Sequence, residues 1–566
     1  GGSVSGTEHI GGVVGYKNGG TISYCYYNSE FCSHGGINSE DVANSAEALT
    51  STNFTSSTLP TNFNSEVWTV GTTQGASGSI ISEDGIMGYR VLGKYPSITG
   101  VGTAQEIVIK YVNVGTEKQP SWISNFIPIY TITDFKNISN NLSATYVPMN
   151  DVVETENFSS LNVFTPTVTW PTIGTSGSPF TGKIYGNNHA VSGIYVNSAS
   201  GYAGLINYAH GALIRDLGLI ESKIQGVNVG GICGSGRITT FLNCYNGAEV
   251  IGTCAGGITS GYQINGNSTV TQCRNYGNIT ATSMAGGIIG ELWFTTVQQC
   301  YNEGVITSDL KAGGISGNAG YVSIYNSYNT GKVIGQIAGG ILGTKETSGA
   351  RYYCYNIGAI EGSVNEGGIL GAYGPSSSGK EYSYYDINTS NVEGGVDGAD
   401  FPNVAEGIET DDLCLELQKG FSSDIWAIKE PVIVGNKKYL YYPYLKCFGE
   451  ESAKIGTYRP ISRVVLNENG GTCTPLTQYI EREGAELPQD VVRDGFTFGG
   501  WYTNASCTSD EVTEIPVIAT GEQTFYAKWT PITYTISYNQ NYVDDKLGDN
   551  NDTYDSNRDT FIDLRN

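Results

Sequence analysis

A paired glycine, usually followed by isoleucine, recurs through the middle of the chain at intervals of 26, 30, 27, 26 and 28 residues. A second motif, which reads NCYNGAEV in one repeat and NSYNTGKV in another, has its cysteine or serine 12 or 13 residues before each pair. Three short apolar runs per period, without helical periodicity, fit three strands and three turns per coil. The sequence therefore predicts a right-handed parallel β-helix, whose glycine pairs begin at Gly230, Gly256, Gly286, Gly313, Gly339 and Gly367.

Alignment on the paired glycines gives one column of mainly small residues: Leu217, Cys244, Cys273, Cys300, Ser327 and Cys354. A metal site would not accept leucine, whereas the apolar interior of a coil would. Free cysteine also suits that interior, because it packs as a small hydrophobe. Neighbouring rungs lie about 4.8 Å apart, which leaves disulfides open, although parallel side-chain directions disfavour them. We expect a stack of core thiols, with disulfides and a metal site as the weaker alternatives.

A second column is purely asparagine and lies two positions after the first. Asparagine tolerates left-handed backbone geometry, and its amide can bond to the next rung of a stack. The sequence therefore predicts a hydrogen-bonded ladder that consists of Asn246, Asn275, Asn302, Asn329 and Asn356.

Two segments of similar plan combine an acidic stretch, a short helical run, one tryptophan and a Tyr-Pro step. The first begins at Gly36-Ile37 and includes Trp68, and the second begins at Gly407-Ile408 and includes Trp426. This duplication predicts two β-helix modules in tandem, each followed by a tail. The fold class is therefore mainly β, with right-handed parallel β-helix modules in tandem with small sheet modules.

A helical lid is expected at the start of the complete β-helix, where Asp134 is a candidate N-cap and Phe135, Ile138 and Leu142 share one helical face. The predicted order is the last coil of a first β-helix at 1–35, a cap or tail segment at 36–100, a strand linker at 101–133, a β-helix with a helical cap at 134–400, a duplicated cap or tail segment at 401–450, a compact sheet module at 460–530 and the start of a further β module at 531–566. Each cap or tail segment is expected to close the end of the β-helix before it. Because the chain opens inside a repeat, we expect it to be part of a longer protein.

Acidic residues outnumber basic ones by 54 to 30, which gives a net charge of -24. Such a surface repels phosphate backbones, so nucleic acid is not an expected partner. No apolar run approaches the roughly 18 residues of a membrane helix, so we expect no membrane insertion within these residues.

The segment from Arg463 to Trp529 alternates apolar residues and contains the sequences GFTFGGWYTNASC and FYAKW. A core of this size benefits from a staple, and Cys473 with Cys507 is the candidate disulfide. The segment resembles the Listeria-Bacteroides repeat, or internalin B-type repeat, which implies a β-grasp-like fold in a cell-wall-attached protein. The coils resemble the GLUG-type repeats of large bacterial surface proteins, including non-catalytic regions of some IgA-specific metallopeptidases.

The leading hypothesis is a non-catalytic stalk or adhesin that is extracellular, at the cell surface or in the cell wall. Its expected partners are surface glycans or extracellular proteins, and lateral self-association is a further expectation. No catalytic, cofactor-binding or metal-binding residue is predicted. Candidate residues for stacking on sugar rings, with packing at the end of the β-helix as the alternative role, are Tyr352, Tyr353, Tyr382, Tyr384 and Tyr385.

Two enzymatic alternatives remain open. A β-helical polysaccharide-degrading enzyme needs carboxylates that converge on one face, whereas Glu249, Glu303 and Glu366 occupy different positions in their repeats and Glu361 is near only Glu366. The resemblance of the coils also leaves open the non-catalytic region of a larger surface metallopeptidase. The sequence contains no HExxH motif, so the zinc centre of such an enzyme would lie outside these residues. An acidic stretch near the end, DKLGDNNDTYDSNRD, lacks the glycine and the terminal glutamate of an EF-hand loop.

Overall fold

The computed structural model describes residues 121–159, 163–199, 201–261, 268–320, 323–346, 350–373, 381–400 and 404–537, residue 115 and several separate strands. The fold is mostly β, with 51% of the residues in strands, and contains a β-solenoid of about seven turns followed by small sheets. The predicted parallel β-helix and small sheet modules are thereby confirmed. Most of the predicted coil at 1–35, and of the predicted module at 531–566 with its acidic stretch, lies outside the described residues.

The chain divides into two compact units, Gly1–Ile194 with Ala209–Gly218 and Tyr195–Tyr208 with Leu219–Asn566. The first unit begins with two short strand pairs, Cys25–Asn28 with Ala46–Leu49 and Trp68–Thr69 with Ser97–Ile98. An antiparallel sheet then contains Thr72–Thr73, Ile81–Ser82, Met87–Lys94, Glu106–Asn113 and Trp122–Ile123. Its remaining strands belong to coils and are Ile127–Ile129, Thr145–Pro148, Val152–Val153, Lys183–Tyr185, Ala190–Ser192 and Leu213–Arg215.

Strand pairing aligns the two duplicated segments differently from the alignment that was read from the sequence. Cys25–Asn28 pairs in parallel with Ala46–Leu49, and Ser383–Asp386 pairs in parallel with Ala405–Ile408. The counterpart of Ala405–Ile408 is therefore Ala46–Leu49 and not the segment around Gly36-Ile37. A Gly-Ile dipeptide is too common in this chain to fix a register, whereas backbone pairing is specific.

The lid helix begins earlier than predicted. Helix Ile132–Lys136 has Thr131 as its N-cap, and Asp134 is the third helical residue of a capping box, in which each side chain bonds to the other residue's backbone N–H. The 3-10 helix Asn137–Asn140 follows directly, and a second 3-10 helix is Thr155–Asn157. Phe135 and Ile138 are fully buried, so they anchor the lid on the coil, whereas Leu142, predicted on the same helical face, lies beyond the 3-10 helix and is half-buried.

In the second unit, parallel strands stack coil upon coil in separate sheets. The largest sheet contains Tyr195–Asn197, Tyr202–Ala203, Gly218–Gln225, Asn228–Gly230, Tyr245–Gly256, Arg274–Asn275, Ile279–Gly286, Tyr301–Asn302, Ile306–Ser308, Lys311–Gly313, Tyr328–Asn329, Val333–Gly339, Tyr355–Asn356, Ile360–Gly367, Ser383–Asp386 and Ala405–Ile408. The second contains Thr240–Leu242, Ser268–Thr271, Thr295–Gln298, Ser323–Tyr325 and Ala350–Tyr352. The others contain Ile289–Leu292, Ser316–Ala319, Leu342–Lys345 and Leu370–Tyr373, and the pair Ile206–His210 with Cys233–Arg237.

The asparagine ladder is confirmed. Asn302 donates to Asn329 Oδ1 at 2.7 Å and to the Gly304 carbonyl at 2.8 Å, and it accepts from Asn275 Nδ2 at 2.7 Å and from the Gly304 N–H at 3.2 Å. All four hydrogen-bonding positions of this fully buried amide are therefore used. Beyond Asn356, the ladder ends on Ser390 Oγ at 3.0 Å.

The paired glycines are explained by this ladder. Glycines of successive coils lie in register, for example Gly313 beside Gly339. A Cβ atom on Gly314 would lie 2.1 Å from the carbonyl oxygen of Gly340 and 2.3 Å from Cγ of Asn329. Any side chain there would collide with the backbone and the ladder together, so the second glycine of a pair is a packing requirement.

The left-handed residues lie three positions before the asparagines, which corrects the expected location of the turn. Positive φ values between 45° and 60° recur immediately before the cysteine and serine column, at Asn243, Gln272, Gln299, Asn326, Tyr353 and Tyr382. The asparagines of the ladder instead lie within strands, where the backbone is extended.

The cysteine and serine column forms weak hydrogen bonds as well as packing in the core. Cys300 Sγ accepts from the Cys273 N–H at 3.3 Å and donates to the Gln298 carbonyl at 3.3 Å. Ser327 makes the same two bonds, to the Cys300 N–H at 3.1 Å and the Tyr325 carbonyl at 2.8 Å. The column therefore selects a small side chain that both donates and accepts, and its described cysteines are thiols.

We expect Cys300→Ser to change the free energy of unfolding by less than about 1 kcal/mol, because serine can make both bonds of the thiol. Cys300→Ala is close to Cys300→Ser in side-chain volume but leaves the Cys273 N–H without an acceptor, and it should cost about 1–3 kcal/mol. Urea unfolding of both variants measures the difference. Equal stability of the two would mean that the column is selected for size alone.

Candidate functional site: a covered tyrosine column

The predicted sugar-stacking tyrosines do not form one exposed platform. Tyr384 and Tyr385 are only 3% and 1% exposed, so they are not available for stacking. Tyr353 and Tyr382 are half-buried, and their rings stack with centroids 6.4 Å apart. The side chain of Tyr352 lies outside the described residues. The alternative role, packing at the end of the solenoid, therefore accounts for Tyr384 and Tyr385.

A column of tyrosines lies on the outside of the coils, one residue after Cys300, Ser327, Cys354 and Ser383. Side chains alternate along a strand, so the cysteine and the asparagine point inward and the residue between them points outward. Tyr301, Tyr328, Tyr355 and Tyr384 are paired in successive strands. Their rings stack almost parallel, with centroids 4.9 Å apart for Tyr301 and Tyr328 and 5.0 Å for Tyr328 and Tyr355.

This tyrosine column is buried because the tail, residues 404–454, covers it. Tyr328 and Tyr355 are each 1% exposed although they point away from the coil. The Trp426 ring is 6.1 Å from Tyr328 and 5.6 Å from Tyr355, and its Nε1 donates to Asn326 Oδ1 at 3.0 Å. The residues of the tail that complete this core are Leu413, Cys414, Phe421, Leu440, Tyr442 and Leu445.

The elements of the tail are short and irregular, as expected of a segment shaped by the surface that it covers. They are helix Thr410–Leu415, the 3-10 helices Lys446–Phe448 and Glu450–Ser452, the antiparallel pair Trp426–Ala427 with Tyr444–Leu445, and the strands Val432–Val434 and Lys437–Tyr441. The tail was expected to close the end of the β-helix. It covers instead the side of several coils, as far back as Tyr301, whose ring meets Phe448 at 4.8 Å.

Polar contacts fasten the tail to the coils at both ends of the column. Tyr355 donates its hydroxyl to the Pro443 carbonyl at 2.7 Å, within the Tyr-Pro step that the sequence singled out. Asp386 is fully buried and accepts from the hydroxyls of Tyr442 and Thr410. At the far end, Lys454 forms an ion pair of 2.9 Å with Glu303.

Burial raises the pKa of Tyr328 and of Tyr355 well above the usual value for tyrosine. Burial, with a smaller contribution from Glu406, raises the pKa of Tyr384 to about 12. The folded state therefore favours the neutral phenols. This stabilisation is fully present below the unfolded pKa of about 10 and is lost as the pH rises from there toward the folded-state pKa values.

We expect an alkaline titration to ionise the buried tyrosines in one cooperative step above a pH of about 10, together with release of the tail. Tyrosinate absorbance and near-ultraviolet circular dichroism, recorded on the same samples, measure ionisation and packing. Gradual ionisation of all tyrosines near their ordinary pKa, with unchanged packing, would contradict the covered column.

The carboxylates considered for polysaccharide cleavage are held separately. Glu249 pairs with Lys223 at 2.9 Å, and Glu303 pairs with Lys454. Glu361 pairs with Lys332 at 2.5 Å, and Glu366 accepts from the Gly362 N–H at 3.0 Å. Each of these carboxylates therefore has a structural partner of its own.

The predicted disulfide is not found, because Cys473 and Cys507 are both thiols in the structure. Cys473 packs at the margin of the core of the sheet module, whereas Cys507 Sγ faces the carbonyl of Ala527 at 3.9 Å. Trp501 is fully buried in this core, which also contains Phe525. In the described ranges, no group of three or more histidine, cysteine or acidic side chains could bind a metal ion.

The sheet module shares its first strand with the tail. The 13-residue strand Ile455–Asn467 pairs antiparallel with Lys437–Tyr441 of the tail through its first half and parallel with Gln523–Pro531 through its second half. The other strands of the module are Gln478–Ile480, Ala485–Glu486, Phe496–Tyr502, Glu511–Val512 and Glu514–Ile515, and the pair Thr533–Ser537 with Asn551–Asp555 follows. The predicted boundary at residue 460 therefore falls inside a continuous strand.

Ion pairs close this junction. Arg459 is 6% exposed and bonds to Asp411 of the tail at 3.2 Å and to Glu483 of the sheet module at 3.0 Å. Lys438 of the tail also bonds to both oxygens of Glu483, at 2.7 and 2.9 Å. Glu483 therefore joins neighbouring strands of the tail sheet to the module. Sequence reasoning missed this cluster, because its members are far apart along the chain.

Among the helices that the structure describes, none is long and apolar enough to cross a membrane. No curated protein sequence matches the chain. Similar solved structures include a "putative immunoglobulin A1 protease" from Bacteroides ovatus, with 18% identity, a TM-score of 0.34 and coverage of 59% of this chain and 94% of that one. Another is an IgA1 protease, with 13% identity, a TM-score of 0.31 and coverage of 70% of this chain and 38% of that one. Residues 463–528 match the family model of the Listeria-Bacteroides repeat domain.

Proposed function

We propose that this chain is a non-catalytic part of an extracellular surface protein, in which it works as a repeat-built stalk or adhesin. The observation that carries the proposal is the strand Ile455–Asn467, which belongs to the tail sheet and to the repeat domain at once. A flexible linker would allow the two to move independently. A shared strand joins them through backbone hydrogen bonds, which suits a stiff spacer.

The Listeria-Bacteroides repeat domain supports a location at the cell surface, because such domains are typical of surface proteins. The likeness of the coils to GLUG-type repeats extends this proposal to large bacterial surface proteins. Surface glycans or extracellular proteins are the proposed partners, and lateral association of chains is a further part of the proposal. The repeated use of polar side chains for the asparagine ladder and for ion pairs favours a structural role over catalysis.

A binding screen of the chain against glycans and extracellular-matrix proteins, with released sugar assayed in the same wells, tests the adhesin. Saturable binding without sugar release is the expected result, and Tyr353 and Tyr382 are then the first residues to replace. Sugar release would contradict the proposal and favour a polysaccharide-degrading enzyme. A chain that neither binds nor cleaves would be a spacer alone.

We expect Glu483→Gln to loosen the junction between the tail and the repeat domain, because Lys438 loses its charged partner and Arg459 keeps only Asp411. The expected cost is about 1–3 kcal/mol, measured as faster hydrogen exchange in the strands Lys437–Tyr441 and Ile455–Asn467. Glu522→Gln is the matched control, because Glu522 pairs with Arg463 in an exposed position. Equal exchange in the two variants would mean that the ion cluster does not hold the junction.

A further inference from the structure

We infer that the Listeria-Bacteroides repeat domain of this chain is a mechanical clamp that resists extension when the chain is pulled at its two ends. Its use in a tethered surface protein rests on the proposed function, whereas its resistance to force follows from the strand arrangement alone. The inference concerns a load-bearing role, which is separate from any ligand that the protein binds.

The clamp consists of the first and last strands of the domain, which are neighbours and run parallel. Val464, Val465, Leu466 and Asn467 lie opposite Gln523, Thr524, Phe525 and Tyr526. A pull enters at the amino-terminal end of the first strand and leaves at the carboxyl-terminal end of the last one. In a parallel pair these ends lie at opposite edges, so the strands must slide past each other and their hydrogen bonds are loaded together.

The packing around the clamp protects it from water. Val464 is 4% exposed and Phe525 is 3% exposed, and both belong to the core that includes the fully buried Trp501. Water competes for backbone hydrogen bonds when they are strained, and a buried side-chain layer delays its entry. Sliding of the two strands would also separate these apolar side chains, which adds to the resistance.

The chain on both sides of the clamp delivers the load without slack. Upstream, the first strand is continuous with the tail, and Arg459 and Glu483 close the junction. Downstream, Gln523–Pro531 extends beyond the clamp and pairs antiparallel with Phe496–Tyr502.

In this second, antiparallel pair, Phe496 lies opposite Pro531 at one end. The second pair therefore opens one bond at a time when it is pulled from that end.

The antiparallel pair provides a matched control within the same protein. Single-molecule force spectroscopy of the full chain with handles at its two ends loads the clamp in shear. A handle inserted after Asp494, used with the carboxyl-terminal handle, pulls Phe496–Tyr502 from Gln523–Pro531 and opens that pair from its end. At about 3.4 Å per extended residue, the first geometry releases roughly 230 Å between residues 463 and 531 and the second roughly 120 Å between 495 and 531.

We expect the rupture force in the end-to-end geometry to be at least about twofold higher than in the control geometry at the same loading rate. The length of the step identifies molecules in which the repeat was folded before the pull. If the handle inserted after Asp494 prevents folding, a handle inserted after Arg493 takes its place. Equal rupture forces in the two geometries would overturn the clamp. Because this readout involves no ligand, failure of the clamp and failure of the adhesin in the binding screen are distinguishable.

Discussion

Asn302→Ala destabilises the coils by about 3–5 kcal/mol in this account, because it leaves two buried donors without acceptors. The Gly304 N–H and the Asn275 amide both donate to Asn302 Oδ1, and neither can reach water in a fully buried site. The substitution also opens a cavity between glycines that cannot fill it. Urea titration with pulse proteolysis, read by mass spectrometry of coil peptides, measures the loss without assuming that the whole chain unfolds at once.

Asn278→Ala is the matched control, because Asn278 lies in the same turn region of the stack but is exposed. Its Oδ1 accepts one hydrogen bond, from the Val305 N–H at 3.2 Å. Water can replace this bond, so the expected loss is less than about 1 kcal/mol. Similar losses for Asn302→Ala and Asn278→Ala would show that the ladder has no special role in stability.

Trp426→Ala should release the tail from the tyrosine column, at a cost of about 3–5 kcal/mol. Trp426 is fully buried, its ring contacts Tyr328, Tyr355 and Phe421, and its Nε1–H bonds to Asn326. The coils themselves should stay folded, because the asparagine ladder is unchanged. Limited proteolysis should then cut the tail at its lysines while the coil peptides remain protected.

Tyr458→Ala serves as the control for the loss of an aromatic side chain in the adjoining sheet. Tyr458 is 47% exposed and contacts only Tyr439 and Lys437 among the ring contacts that the structure describes. Its replacement should cost less than about 1 kcal/mol and leave the tail protected. Cleavage of coils and tail together in Trp426→Ala would contradict separate stabilisation of the two.

The repeating parts of the fold were predictable because, in a solenoid, equivalent contacts recur in successive coils. Side chains in one column meet the equivalent side chains of the next coil, so Asn302 against Asn329 could be read directly from the period. The same reasoning placed the cysteines inside the coil. It did not show that Cys300 donates and accepts hydrogen bonds, since that depends on which N–H groups the left-handed corner leaves exposed.

The tail could not be predicted in the same way, because its contacts occur once. Alternation of side chains implies that Tyr328 points outward, but it does not tell what covers an outward tyrosine. The tail's tryptophan and Tyr-Pro step were visible as a recurring pattern. Their partners, Asn326 and Tyr355, lie in the coils, 100 and 88 residues earlier in the chain. The exposed role proposed for Tyr384 failed for this reason, whereas Tyr385 is paired with Asn356 at the inward-facing position of its coil.

Hydrogen exchange of the full chain tests most directly whether coils, tail and repeat domain form one connected structure. We expect the amides of Trp426–Ala427, Tyr444–Leu445 and Ile455–Asn467 to exchange about as slowly as those of the coil strands. Rapid exchange throughout the tail, with protection confined to the coils and the repeat domain, would contradict this expectation. The tyrosine column would then be an open surface, and the two protected parts would be joined by a flexible linker.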